Sequence, residues 1–236
     1  MKPLCVIPAR LGSKRLAKKN VLPLGGRPML AWTIEAALGS GLFDRVWVST
    51  EDEGIAAIAE AAGALAHRRP DALAGDLVSA SSVCIELLEA RAAADDLHDA
   101  VVCLQPSSPL RSADDVRGAW ERFAAEEADF LVSVTPIDPH YFHWAVHRDG
   151  DWSRMWFREE FLLERPLLPP VFRPNGAVKI GRAGPLTQRA DFFGPRLAVW
   201  EMPDERSVHV AEAFDLRLAA MLAEDLSLAA PARAAA

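Results

Sequence analysis

Short apolar runs alternate along the chain with longer stretches in which apolar residues recur every three or four positions. The run Leu4-Cys5-Val6-Ile7-Pro8-Ala9 is continuous and ended by turn chemistry, the pattern of a strand buried on both faces. Helical spacing follows over 29–38, a second strand-like run over 45–49, and an alanine-rich helix over 54–62 closed by Gly63. A helix over 79–94 precedes a continuous apolar strand over 100–105. Ser112 and Asp115 stand in the S-x-x-D relation of a capping box, which predicts a helix over 113–126; another strand is expected over 129–134. Such alternation predicts an α/β fold, a mostly parallel sheet with helices on both faces. Beyond Pro136 the periodicity is lost, and 138–144 and 151–157 mix aromatic with polar residues. This predicts an excursion over about 136–189, read either as a homodimer contact or as a local mini-core. A helical pattern returns over 208–226. The main domain is thus expected over 1–228, with a frayed tail over 229–236.

Composition narrows the class. With 236 residues, half of them hydrophobic, the chain can bury one substantial core. Cys5, Cys84 and Cys103 are widely spaced and match no metal-ligand pattern, which predicts reduced buried thiols in a cytoplasmic protein. No apolar run reaches the roughly 18 to 20 residues that span a bilayer, and Pro8 and Arg10 interrupt any signal-like segment, so no membrane partner is expected.

Charge then points to a ligand. The formal net charge is -7, yet the first thirty-four positions hold no acidic residue and carry Lys2, Arg10, Lys14, Arg15, Lys18, Lys19 and Arg27. A cationic loop on an acidic protein suits a small polyanion; nucleic acid would require an extended basic face and interleaved aromatics. Residues 10–20 follow the first strand and so fall at the carboxyl edge of the sheet, where open α/β sheets bind ligands. Gly12 and Ser13 offer backbone N–H groups there, and the cations offer mobile charge, a combination that surrounds phosphate oxygens. Lys14, Arg15 and Lys18 are read either as part of this cradle or as a solvated loop.

Three segments carry a resemblance: Ile7-Pro-Ala-Arg-Leu-Gly-Ser-Lys-Arg-Leu-Ala-Lys-Lys-Asn20, Leu104-Gln-Pro-Ser-Ser-Pro-Leu-Arg111 and Phe172-Arg-Pro-Asn-Gly-Ala177. In this order they resemble the signatures of the acylneuraminate cytidylyltransferases, the CMP-sialic acid synthetase family. The resemblance implies a Rossmann-like nucleotide-diphospho-sugar transferase fold, a small dimerisation lobe, and Mg²⁺ (or Mn²⁺) as cofactor. It implies CTP and an acidic 2-keto-3-deoxy sugar as partners. Arg10, Lys19 and Asn20 match positions that grip the nucleotide, and fixed cations there would stabilise charge on the α-phosphate and departing pyrophosphate. Arg69 and Ser79 resemble a second nucleotide segment, although Ser79 is equally read as a helix cap. Gln105 matches a sugar contact, Arg165 an arginine facing the sugar-acid end, where a guanidinium suits a carboxylate. Asn175 would position the sugar, although Asn-Gly is also an ordinary turn. Phe192 and Phe193 match a pair that packs against an acyl-amido group; taken alone they read as core.

One departure stands out. The family's Ser-x-Asp-x-Asp run, whose carboxylates bind magnesium, aligns with Ser207-Val-His-Val-Ala211. Hard Mg²⁺ prefers oxygen ligands, so His209 and Ala211 are not simple replacements. Glu212 or Asp215 could supply an oxygen, CTP could carry the metal, or the site could be impaired. His143, where the family can place a lysine, hints at a legionaminic- or pseudaminic-type sugar. An octulosonic acid (KDO) cytidylyltransferase and a non-catalytic nucleotide sensor remain as alternatives.

Overall fold

The computed structural model describes residues 1–13 and 15–229. In chain order the elements are β1 (Pro3–Pro8), the two-residue strands β2 (Pro23–Leu24) and β3 (Arg27–Pro28), α1 (Met29–Gly39), β4 (Val46–Thr50), α2 (Glu53–Ala61), β5 (Leu65–Arg68), α3 (Ala80–Ala92), β6 (Ala100–Cys103), α4 (Ala113–Ala125) and β7 (Phe130–Ile137). Then come α5 (Pro139–His143), β8 (Val146–Asp149), β9 (Trp152–Met155), α6 (Arg158–Phe161), β10 (Val171–Arg182), α7 (Ala183–Arg189), β11 (Leu197–Glu201) and α8 (Ala213–Ala229).

Among the described residues a seven-stranded sheet runs in the order β11-β7-β10-β6-β1-β4-β5. Every pairing in it is parallel except those of β10, which lies antiparallel to β6 and β7. Successive residues of β1 serve opposite faces, as a period of two requires. Cys5 and Ile7 join the core beneath α1, α2 and α4, while Leu4 and Val6 join the one shared with α3 and α7. A third cluster, including Leu24, Met29, Leu110, Val210 and Ala219, seats α8 against the β2–β3 turn. Helix starts follow the expected chemistry: Asp52 caps α2, and Ser112 with Asp115 forms a complete capping box on α4.

Two boundaries differ from the sequence expectation. The aromatic excursion does not run to residue 189, because β10 returns to the middle of the main sheet and α7 packs beside α3. Pro174 and Asn175-Gly176 disguise β10 as a turn; the strand accommodates them through a register irregularity between Pro174 and Lys179. The C-terminal helix starts at Ala213, well after residue 208, because Val210 donates its N–H to the Ser107 carbonyl at 2.7 Å, holding this stretch against the sheet edge. Ala229 closes α8, and 230–236, most of the predicted tail, lies outside the described residues.

The remaining excursion comprises α5, the β8–β9 hairpin and α6. It has a small aromatic centre, in which Phe142 and Phe157 surround the buried His143 with ring centroids 5.1 and 5.6 Å from it. Its outer surface is also aromatic: Tyr141 is 84% and Trp152 80% exposed.

Candidate active site

The carboxyl ends of β1 and β6 open into a cleft walled by the basic loop on one side and by the start of α3 on the other. Of the predicted site residues, Arg10, Gly12, Ser13, Lys19, Asn20, Arg69, Ser79, Gln105 and His209 line it together.

The basic loop is held in place by bonds to neighbouring segments. Asn20, buried, donates from Nδ2 to the Arg10 carbonyl at 2.9 Å, and Leu11 donates its N–H to Glu51 Oε1 at 2.9 Å. Lys19 Nζ reaches across to the Val210 carbonyl at 3.0 Å, bringing the loop and the 207–211 stretch to a common rim. Burial, and then the nearby Arg15 and Arg10 guanidinium groups, hold the Lys19 ammonium below its ordinary range. A cation destabilised by its neighbours gains most when a polyanion arrives. Arg10 Nη1 pairs with Asp76 Oδ1 at 2.7 Å across the mouth. Lys14 lies outside the described residues.

Arg69 lines the cleft and also has a structural part. Its buried guanidinium donates to the carbonyls of Ala9 and Ser49, at 2.6 and 2.9 Å, and pairs with Glu51 Oε2 at 3.2 Å. It ties the ends of β1 and β4 together beneath the cleft and so holds the loop's point of departure. Ser79 caps α3, its Oγ accepting from Ser82 N at 3.1 Å, while it also lines the cleft. Both readings of Ser79 therefore survive.

Gln105 follows the buried run of β6, and Arg111 fixes its backbone by donating to the Gln105 carbonyl and to Thr33 Oγ1. Gly176, at φ +74°, passes close behind: a Cβ there would lie 3.0 Å from Gln105 Oε1 and 3.2 Å from His209 Nδ1. Only glycine combines this backbone with this approach. Asn175 is not exposed to the cleft. Ser133 Oγ donates to its Oδ1 at 2.5 Å, and its Nδ2 donates to Ser207 Oγ at 2.9 Å, so its amide joins β7, β10 and the 207–211 stretch internally. Phe192 is buried among core residues, whereas Phe193 is 45% exposed, with Lys179 Nζ 5.9 Å from its ring centre. Arg165 falls in a short 3-10 turn in the excursion, and its side chain lies outside what is described.

His209 sits at the back of the cleft. Ser108 Oγ donates to the Asn175 carbonyl at 2.8 Å and lies 3.1 Å from His209 Nδ1, so Nδ1 carries the proton and donates to Ser108. Burial, with Lys19 and Arg15 nearby, pushes the imidazole down to about 4, making it neutral at physiological pH. Asp215, the other candidate metal ligand, accepts the N–H groups of both Ala211 and Glu212 at 2.8 Å, at the head of α8. No group of three or more His, Cys, Asp or Glu with metal-binding geometry occurs among the described residues, so these side chains do not form a metal cage.

Sequence reasoning missed Glu51, Ser108 and Lys179. Glu51 was within reach, as the first acidic residue past a strand at the carboxyl edge. Ser108 lies inside the 104–111 segment but was not singled out from it, and Lys179 stands just past the 172–177 segment with no signal of its own.

Comparison with known proteins agrees with this geometry. The family model described as Cytidylyltransferase matches residues 4–149. A pseudaminic acid cytidylyltransferase of Campylobacter jejuni is 29% identical over 94% of this chain and 96% of its own length. A CMP-N,N'-diacetyllegionaminic acid synthase of Legionella pneumophila is 32% identical over 82% of this chain and 83% of its own. An N-acylneuraminate cytidylyltransferase of Streptococcus agalactiae is 32% identical over 89% of this chain, which spans half of that longer relative. Among solved structures, a CMP:2-keto-3-deoxy-manno-octonic acid synthetase complexed with CTP aligns over 96% of this chain and 100% of its own, with a TM-score of 0.74 at 18% identity.

Proposed function

We propose, on the premise that this chain belongs to the cytidylyltransferase family, that its cleft couples CTP to a nine-carbon, nonulosonic 2-keto-3-deoxy sugar acid. In the reaction the sugar's anomeric hydroxyl oxygen forms a bond to the α-phosphorus of CTP. The bond from that phosphorus to the β-phosphate bridging oxygen breaks in line, the hydroxyl proton passes to solvent or a nearby acceptor, and pyrophosphate leaves. The observation that carries the reading is the convergence of Arg10, Lys19 and Gln105 on one cleft at the carboxyl edge of β1 and β6.

Arg10 and Lys19 stabilise the charge that builds on the phosphate oxygens, and the loop N–H groups at Gly12 and Ser13 add fixed dipoles. Asn20 and Arg69 hold that loop in register. Gln105, together with the exposed ring of Phe193, borders the sugar, and Arg165 takes its carboxylate. The relatives' names favour nonulosonic over octulosonic substrates. Mg²⁺ or Mn²⁺ belongs to the reading as a companion of the nucleotide, since the described side chains do not form its cage. The exposed aromatic surface around Tyr141 and Trp152 supports a homodimer built on this lobe. Three free, buried cysteines support a cytoplasmic setting, where thiols stay reduced.

Pyrophosphate release from CTP over a panel of sialic, legionaminic, pseudaminic and octulosonic acids tests this directly, with Arg165→Ala as control. Turnover with one nonulosonic acid, lost in the variant, is the expected result. Turnover only with the octulosonic acid would overturn the substrate class. CTP binding with no turnover across the panel would favour the sensor reading, which rests on His209 and Ala211.

A further inference from the structure

We propose that this cleft grips the nucleotide triphosphate through its own side-chain cations, with no protein-held divalent ion between protein and phosphates. The inference deepens the cytidylyltransferase reading and rests on it.

Among the described residues the lining of the cleft contains no aspartate or glutamate, and its charged members are Arg10, Lys19 and Arg69. The carboxylates bonded to its walls are turned to other work. Glu51 accepts from Leu11 N and pairs with Arg69, Asp76 faces Arg10 across the mouth, and Asp215 accepts two backbone N–H groups. His209 offers one free ring nitrogen at most, because Nδ1 is committed to Ser108. Mg²⁺ usually takes one or two protein carboxylates beside waters and substrate phosphates, and the described lining of this cleft supplies none. The electrostatics run the same way. Arg10, Lys19 and Arg69 line one cleft, so it repels a bare dication and attracts a triphosphate. Lys19 is held at the rim by the Val210 carbonyl, an acceptor that a phosphate oxygen can replace without moving the chain far.

Two measurements on the intact protein test this. In the first, Mn²⁺ alone is titrated into the protein and the free ion followed by electron paramagnetic resonance. The expected free signal matches that in buffer, and retention of Mn²⁺ by the protein overturns the proposal. In the second, calorimetry gives CTP affinity in EDTA and in Mg²⁺. The two values are expected to agree within about threefold, and a loss of about tenfold or more in EDTA overturns the proposal while leaving the nucleotide reading intact. No CTP binding in either buffer overturns the nucleotide reading and this inference with it. The double variant His209→Asp, Ala211→Asp should retain Mn²⁺ and make CTP affinity depend on Mg²⁺. If it folds and still ignores both metals, the deficit does not lie at these two positions and that part of the argument falls. If it does not fold, the two wild-type measurements decide alone.

Discussion

The two ends of the central sheet both gather charged residues and put them to opposite use. At the amino end, Lys2 Nζ lies 2.5 Å from Asp96, the Lys2 N–H donates to Asp99 at 2.6 Å, and His98 sits 3.3 Å from Asp96. Arg91 lies over the ring of Trp47 at 4.7 Å, so several charges of this hollow are set against neighbours within it. At the carboxyl end the acids are drawn aside, Glu51 beneath the loop and Asp215 onto the head of α8, while Lys19 is left with a backbone carbonyl as its partner. A binding site for an anion thus depends less on how many cations the fold gathers than on where it sends their counter-ions.

The sharpest way to break this contrast is Lys19→Ala. Removing one preorganised cation from a site of developing charge should lower turnover by roughly 10²–10³-fold, with little change in thermal stability, as pyrophosphate release and a melting curve will read. Unchanged turnover would remove Lys19 from the chemistry.

Next in size is Glu51→Gln, which strips the buried Arg69 of its carboxylate. Stability should fall by about 3 kcal/mol in chemical denaturation, the cost of leaving a buried charge without its counter-ion. A loss no larger than that of an exposed substitution would mean that the carbonyls of Ala9 and Ser49 hold Arg69 unaided.

A third test uses pH. His209 is surrounded by Lys19, Arg15 and Lys179, with Asp215 the opposing charge, and its value in the folded state is about 4 against 6.5 for the free side chain. The unfolded chain therefore binds more protons between these values, so stability is full above pH 6.5 and declines as pH falls towards 4. His209→Gln should flatten that part of the profile; an unaltered profile would assign the decline to other groups. Smallest of all, Lys2→Ala at the compensated end should change stability by less than about 1 kcal/mol and leave turnover untouched.

Much of this was legible in the chain. The buried runs that became β1 and β6, and the Ser112–Asp115 box, depend on local patterns that survive folding unchanged. The convergence of Arg10, Lys19 and Gln105 could be inferred because loops after parallel strands share one edge. β5, the edge strand Leu65–Arg68, has too few apolar residues to announce itself, and it exists because β4 offers a free ladder. β10 was hidden by a proline and an Asn-Gly pair that read as a turn, and only the bulge opposite β7 shows how a strand absorbs them. Asn175 was legible as important but not as internal. Its side chain answers to Ser133 and Ser207, residues 42 and 32 positions away, and no local pattern encodes such a meeting.

The 207–211 stretch has a consequence for synthesis. Arg206 clasps Asp115 at 2.8 and 3.0 Å, Val210 binds Ser107, and Lys19 waits for a carbonyl 191 residues downstream. The loop over residues 10–20 is therefore made well before the stretch that meets it. Until residue 210 has emerged and docked, the growing polypeptide has the cations of the cleft without its back wall, and the complete cleft exists only once both ends of that long separation are in place.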